Sequence, residues 1–146
     1  MTYTLRFVPE VEEDVFSGYL WYEAKTRGLG EEFLGIFYAC VAEIPGNPLL
    51  YPKVHHEFRR RLLRRFPYAI YFMIDKGQII VFGLFHCARD PHTIRARLRD
   101  RGKRKRLWHI LETNRNSWAL EESGKEYVAL AAWVPEIMEI LGKENK

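Results

Sequence analysis

Between residues 10 and 44 the chain carries two apolar stripes at helical spacing, separated by Gly28-Leu29-Gly30. In the first stripe Val11, Val15, Tyr19 and Tyr22 recur every three or four residues, and Phe16 and Leu20 widen it. In the second, Phe33, Ile36, Phe37, Cys40, Val41 and Ile44 give the cleanest helical pattern in the chain. Gly28 and Gly30 predict the end of one helix and a tight turn, with Glu31 and Glu32 opening the next. Two amphipathic helices joined this closely read as an antiparallel hairpin, whose apolar face must be covered by another layer.

The covering layer is predicted from the flanks. Residues 2–8 alternate, with Tyr3, Leu5 and Phe7 on one side. Pro9 then suits the first position of a helix, and Glu10, Glu12, Glu13 and Asp14 suit its N-terminus electrostatically. Pro45-Gly46-Asn47-Pro48 stops the second helix, and a loop follows through Tyr51, Pro52, His55 and His56. Residues 60–66 read as a short charged strand with Arg65 at its end, and residues 68–74 as an aromatic, β-branched one. Asp75-Lys76-Gly77-Gln78 reads as a hairpin turn. Residues 79–86 are nearly continuous apolar sequence, expected to be the central, most buried strand. After a turn at Ala88-Arg89-Asp90-Pro91 comes a basic, helical run at 92–106. The expected class is α+β: an N-terminal strand, then an antiparallel helical hairpin packed on an antiparallel sheet, then a C-terminal helical extension.

The net charge of +4 over 146 residues conceals an asymmetry. Residues 1–52 balance at −5, residues 53–106 at +12 and residues 107–146 at −3. A basic middle between acidic flanks suggests a face for a polyanion or for an acidic partner. The basic run marks the expected domain edge, giving residues 1–101 as the main domain and 102–146 as a basic linker with an acidic extension. Within that extension residues 107–120 and 126–141 read as helical, split by Ser123-Gly124 and interrupted at Pro135, with Trp108, Trp118, Val128, Leu130, Trp133, Ile137 and Ile140 as apolar contacts. No apolar run approaches the ~20 residues of a membrane span. The start of the chain lacks the pattern of a signal peptide. Cys40 and Cys87 are too few for a disulfide framework or a zinc site. A cytoplasmic protein without a metal or other cofactor is expected.

Four segments together resemble a known family. "LWYEAKTRGLGEEFL" at residues 20–34 is similar to the hairpin of ParE-type toxins, a Trp-Tyr pair followed by a Gly-Leu-Gly turn and a helix opening on acidic residues and Phe. "EIPGNPLLYP" at 43–52 resembles the helix end and loop that follow it. "RRFPYAIYF" at 64–72 and "HCARDP" at 86–91 resemble its Arg-Phe-Pro-Tyr strand and His-x-x-Arg-Asp-Pro turn. The segments stand in family order and spacing across roughly residues 3–101, and the likeness stops before residue 107. The resemblance, to the RelE/ParE superfamily and its ParE-like, plasmid-stabilisation branch, implies a compact α/β toxin domain. It implies a cognate antitoxin that wraps the toxin, and contact with operator DNA only through that complex. It also implies one of two targets: DNA gyrase for ParE-like members, or mRNA in the ribosome for RelE-like nucleases.

Metal-independent RNA cleavage needs a group that moves protons near neutrality and a permanent cation for the phosphate, which suits histidine and arginine. His86 and Arg65 are the candidate pair, since nuclease members converge a His and an Arg from comparable strands. Arg59, Arg61 and Arg89 are candidates to complete an anionic pocket, with His55 or His56 above it. Arg95 and Arg97 extend the basic strip toward phosphates or an antitoxin. Each has a structural alternative: His86 as a strand cap bonded to the following turn, the arginines as a solvated face, Asp90 as the residue that fixes its turn. No second general acid stands out. The readings kept open are a gyrase-directed toxin, an mRNA endonuclease and an inactive binding module of the same fold.

Overall fold

The computed structural model describes residues 3–112, with side chains placed for residues 3–103. Strand β1 (Thr4–Phe7) leads into α1 (Glu10–Lys25) and α2 (Leu29–Glu43), followed by two 3-10 turns at Ile44–Gly46 and Pro48–Leu50. Four strands come next, β2 (Lys53–His55), β3 (Phe58–Leu62), β4 (Tyr68–Asp75) and β5 (Gln78–His86), and then α3 (Pro91–Glu112). The strand order is β1-β5-β4-β3-β2. All pairs are antiparallel except β1 with β5, which is parallel because the whole hairpin intervenes between strand β1 and its neighbour.

The expected α+β class and its layers are present. The hairpin lies on one sheet face, where Phe33 and Tyr22 pack on Tyr68. Helix α3 lies on the other, where Tyr71 and Phe85 face Ile94, Leu98 and Arg101. Of the predicted hairpin stripes, Val11, Val15 and Tyr19 on α1 and Phe33, Phe37, Cys40, Val41 and Ile44 around α2 are buried, Phe16, Tyr22 and Ile36 are partly buried, and Leu20, expected to widen the first stripe, is 40% exposed.

Several local expectations shift. Pro9 caps α1 rather than opening it. Gly28, at φ +88, makes the turn, whereas Gly30 lies inside α2. A Cβ at Gly30 would sit 2.8 Å from the Tyr19 carbonyl oxygen and 2.7 Å from its ring, so glycine there allows the two helices to approach. Because backbone cannot swing aside, Gly30→Ala is expected to destabilise the fold by about 1–3 kcal/mol, read as a lower urea midpoint.

The loop expected through His55 contains β2, too short and too exposed to show a period. The charged strand ends at Leu62, so Arg65 stands beyond it, in the β3–β4 turn, at φ +67. Strand β5 is the most buried, with seven consecutive buried residues, but β4 is the one at the middle of the sheet. Lys76 and Gly77 both have positive φ, as a two-residue hairpin turn of this hand demands. Helix α3 runs without interruption past residue 101, so no break in secondary structure marks the expected domain edge. The expectations for residues 113–146 lie outside the described residues.

Candidate functional site

Where β1 ends, β5 continues unpaired on that side. The pairing stops at Phe7 with Val81, and Leu84 three residues on presents an amide to the gap. Asp14 of α1 accepts that N–H at 3.0 Å. Register also shifts between β4 and β5, leaving Phe82 without an opposite residue. The Phe82 carbonyl accepts from Arg101 Nη1 at 2.8 Å. The same guanidinium grips the Asp14 carboxylate with both nitrogens, at 2.7 and 3.1 Å, and lies over the Phe85 ring. Arg101 and Asp14 are 7% and 9% exposed, so this is a buried, bidentate ion pair. Burial pushes the Asp14 carboxyl above its ordinary range, while Arg101 and the Leu84 amide pull the other way. One side chain of α3 thereby fixes that helix against the sheet and against α1.

The consequence is a cleft of about 140 Å³ between α3 and the far half of the sheet. Its charged lining is Arg60 from β3, Arg89 from the β5–α3 turn and Arg95 from α3. Val54, His55, Tyr71 and Cys87 complete the side toward the sheet. Asp90 caps α3, its Oδ1 accepting from the His92 amide at 3.1 Å, and so sets where Pro91, Ile94 and Arg95 project. Burial, then His56, Arg95 and Arg99, holds the His55 imidazole below the usual histidine range. An unfolded chain therefore binds that proton more readily than the folded one. Stability carried by neutral His55 is full above about pH 6.5 and falls as pH drops through the lowered value. His55 is expected to titrate below an unperturbed histidine in an NMR pH series, and Arg95→Gln with Arg99→Gln is expected to raise its midpoint.

The sequence candidates divide between the two faces. Arg89 and Arg95 enter the cleft. Arg59 and Arg61 do not: successive residues of a strand point to opposite faces, so Arg60 enters and its neighbours turn to the hairpin side. There Arg59 donates to the Tyr51 carbonyl at 2.6 Å, and Arg61 to the Tyr51 hydroxyl and, at 2.7 Å, to Glu43. Arg64 also reaches Glu43, at 3.1 Å, and with Arg61 holds its carboxyl below the usual range. Arg97 is exposed on α3 and acts electrostatically on Asp14, away from the cleft.

His86 pairs with Tyr68 across the sheet and stacks edge-on against its ring at 5.1 Å, on the face opposite Cys87. Its Nδ1 accepts from the Ala88 amide at 3.0 Å, which leaves Nε2 as the nitrogen free to donate. The strand-cap reading of His86 therefore has a bond to support it. Arg65 is largely exposed and lies 3.6 Å from Glu32 on α2. It leans over the Phe66 ring. Arg60 is the cleft residue that sequence reasoning missed, and only the strand register separates it from Arg59 and Arg61. Asp14 and Arg101 were legible in principle, because each occupies a buried stripe position, three residues after Val11 and after Leu98. Among the described residues no cluster of His, Cys, Asp or Glu could hold a metal ion, and no helix is long and apolar enough to cross a membrane.

No family model matches the chain, and neither does any curated protein. Among solved structures, a chain of the chromosomal ParDE TA system from P. aeruginosa is similar, with a TM-score of 0.52 at 15% identity. The match covers 58% of this chain and 96% of that one. At such identity the likeness is one of fold, and it is the fold that the quoted segments imply.

Proposed function

We propose that this chain is the growth-inhibiting member of a type II toxin–antitoxin pair, neutralised by an antitoxin segment that occupies the basic cleft. It acts on its target through a protein interface, as ParE-like toxins act on DNA gyrase. The observation that carries the reading is the cleft itself: three arginines from three separate elements converge on one concavity of a toxin-type fold. Such a cleft suits the carboxylates and apolar anchors of an antitoxin peptide. The state of the first candidate pair supports an interface over a nuclease built on it. His86 already spends its Nδ1 lone pair on a backbone amide, and Arg65 is drawn to Glu32.

A second reading rests on a different residue. Burial and the neighbouring cations hold the His55 imidazole below the usual histidine range, beside a cleft lined by Arg60, Arg89 and Arg95. A neutral imidazole can accept the proton of a ribose 2′-OH, and the arginines can bind the phosphate. That arrangement favours a ribosome-dependent mRNA endonuclease. The cellular response to induction separates the two: DNA damage signalling with intact transcripts supports the gyrase-type interface, and cut transcripts with translation arrest support the nuclease. In either case His86→Ala is expected to leave growth inhibition intact and to cost no more than about 1–2 kcal/mol of stability, for the lost cap and ring contact. A harmless but folded His86→Ala chain would return the site to His86.

A further inference from the structure

Helix α3 carries its charge in an unusual order for a solvent-facing helix. Such a face ordinarily interleaves both signs, which pair along the surface. From Pro91 to Lys103 the helix buries Ile94, Leu98 and Arg101, and leaves Arg95, Arg99 and Lys103 exposed. These three stand four residues apart. They form one row, rising about 6 Å per step and about 12 Å in all. Like charges at that spacing repel and weaken a helix. Among the described residues none of the three makes an ion pair. Asp100, the acidic residue of this stretch, follows Arg99 directly and so stands roughly a quarter-turn off the row.

The row continues beyond the helix. Arg95 also lines the cleft with Arg60 and Arg89, and Arg95 and Arg99 both act on the His55 imidazole of β2. The chemistry around the row separates the polyanions that could neutralise it. An acidic protein needs apolar contact as well as charge. The exposed large apolar side chains lie on α1, the second 3-10 turn, β2 and β3, and none lies on α3 up to Lys103. A single nucleic-acid strand calls for aromatic rings on which its bases stack, and residues 91–103 contain no Trp, Tyr or Phe. Duplex RNA is held through its 2′-hydroxyls as well as its phosphates. The stretch has no Ser, Asn or Gln, and Thr93 is half-buried. Duplex DNA asks least of such a surface, because evenly spaced cations along one strand of phosphates suffice to hold it.

We propose that the outer face of α3 binds the phosphate backbone of duplex DNA directly, with Arg95, Arg99 and Lys103 each meeting a phosphate and no base being read. The inference does not rest on the toxin reading.

The test is fluorescence anisotropy of a labelled 20-base-pair DNA duplex of arbitrary sequence, titrated with the full chain at several salt concentrations. The unaltered chain is expected to bind with a Kd of about 10⁻⁶–10⁻⁴ M. Each phosphate contact contributes about −0.9 to the slope of log affinity against log salt, so three require about −2.7 or steeper. R99Q/K103Q should flatten that slope by about two and weaken binding about tenfold or more at 50 mM salt. Relieving like-charge repulsion on an exposed face costs no packing, so this variant should melt no lower than the unaltered chain. K25Q/R27Q makes the same charge change at exposed positions around the end of α1, and should bind within about twofold of the original. Absence of saturable binding by the unaltered chain at 50 mM salt overturns the proposal, and so does a slope shallower than about −2. Equal losses for the two double variants overturn it as well, reducing the effect to net charge. Tighter binding of an RNA duplex of the same length, or displacement of the DNA by polyglutamate at equal charge concentration, gives the face to another polyanion and also overturns it.

Discussion

Arg101→Met is expected to lower the folding free energy by about 3–5 kcal/mol, the usual consequence of removing one member of a buried ion pair. With a urea slope of about 2 kcal/mol/M, the midpoint should drop by roughly 2 M. The size follows from the groups that remain behind. Without Arg101 the largely buried Asp14 carboxylate loses its bidentate partner and keeps the Leu84 amide as its hydrogen-bond donor, and the Phe82 carbonyl at the bulge loses its donor. Asp14→Asn is expected to cost less, since an amide can still accept from Leu84 and receive one guanidinium N–H. In the double variant, Asp14→Asn with Arg101→Met, the loss should fall well short of the sum of the two single losses, because neither charge is left alone. Additive losses in that cycle would mean that the two residues act separately. The pair also positions the cleft: it holds α3 where Ile94, Arg95 and Leu98 face the sheet, so Arg101→Met should weaken cleft binding even in conditions where the chain remains folded.

The second large effect concerns the cleft charges. Reversing Arg60 and Arg95 together, to Glu, is expected to weaken binding of the cognate antitoxin by about 10²–10⁴, taking about 1.5–3 kcal/mol for each charged hydrogen bond. Fold stability should change little, because Arg95 is exposed and Arg60 is only half-buried. Affinity of the unaltered chain should fall steeply between 50 and 200 mM salt, and the double variant should lose most of that slope. Arg59→Glu is the internal control. It carries the same charge change one residue away, on the hairpin face beside Tyr51, and should leave antitoxin binding within a few-fold of the original. Equal losses for Arg59→Glu and the cleft variants would mean that the antitoxin reads net charge rather than this concavity.

How much of the fold and the cleft was legible depended on whether a pattern had room to repeat. The hairpin has two full stripes, and its buried faces fall where the spacing puts them. Strand β5 announces itself by an apolar run. Strand β2 has three residues and no period to read. The arginine run at 59–61 defeated sequence reasoning for a different reason: alternation says that Arg60 differs from its neighbours but not which side is the cleft. The answer comes from Phe58, buried on the α3 face against Phe82, which sets the phase for the whole strand. The pairing of Asp14 with Arg101 spans 87 residues, so only the position of each on an otherwise apolar stripe hinted at a buried partner. His86 stood out because histidine invites chemistry, yet its bond to the Ala88 amide lies within the same turn and could be drawn from the sequence as easily as a catalytic role.

The most direct test of the toxin reading is growth after induction of the full chain, beside R60E/R95E, Arg59→Glu and His86→Ala, with folding of each verified by thermal melts. Arrest is expected from the unaltered chain and from all three variants, and supplying the antitoxin should relieve it for the unaltered chain, Arg59→Glu and His86→Ala but not for R60E/R95E. Normal growth with the unaltered, folded chain in the absence of antitoxin would contradict the proposal and leave a binding module of the same fold; relief of the R60E/R95E chain by the antitoxin as complete as that of the unaltered chain would remove the cleft from neutralisation.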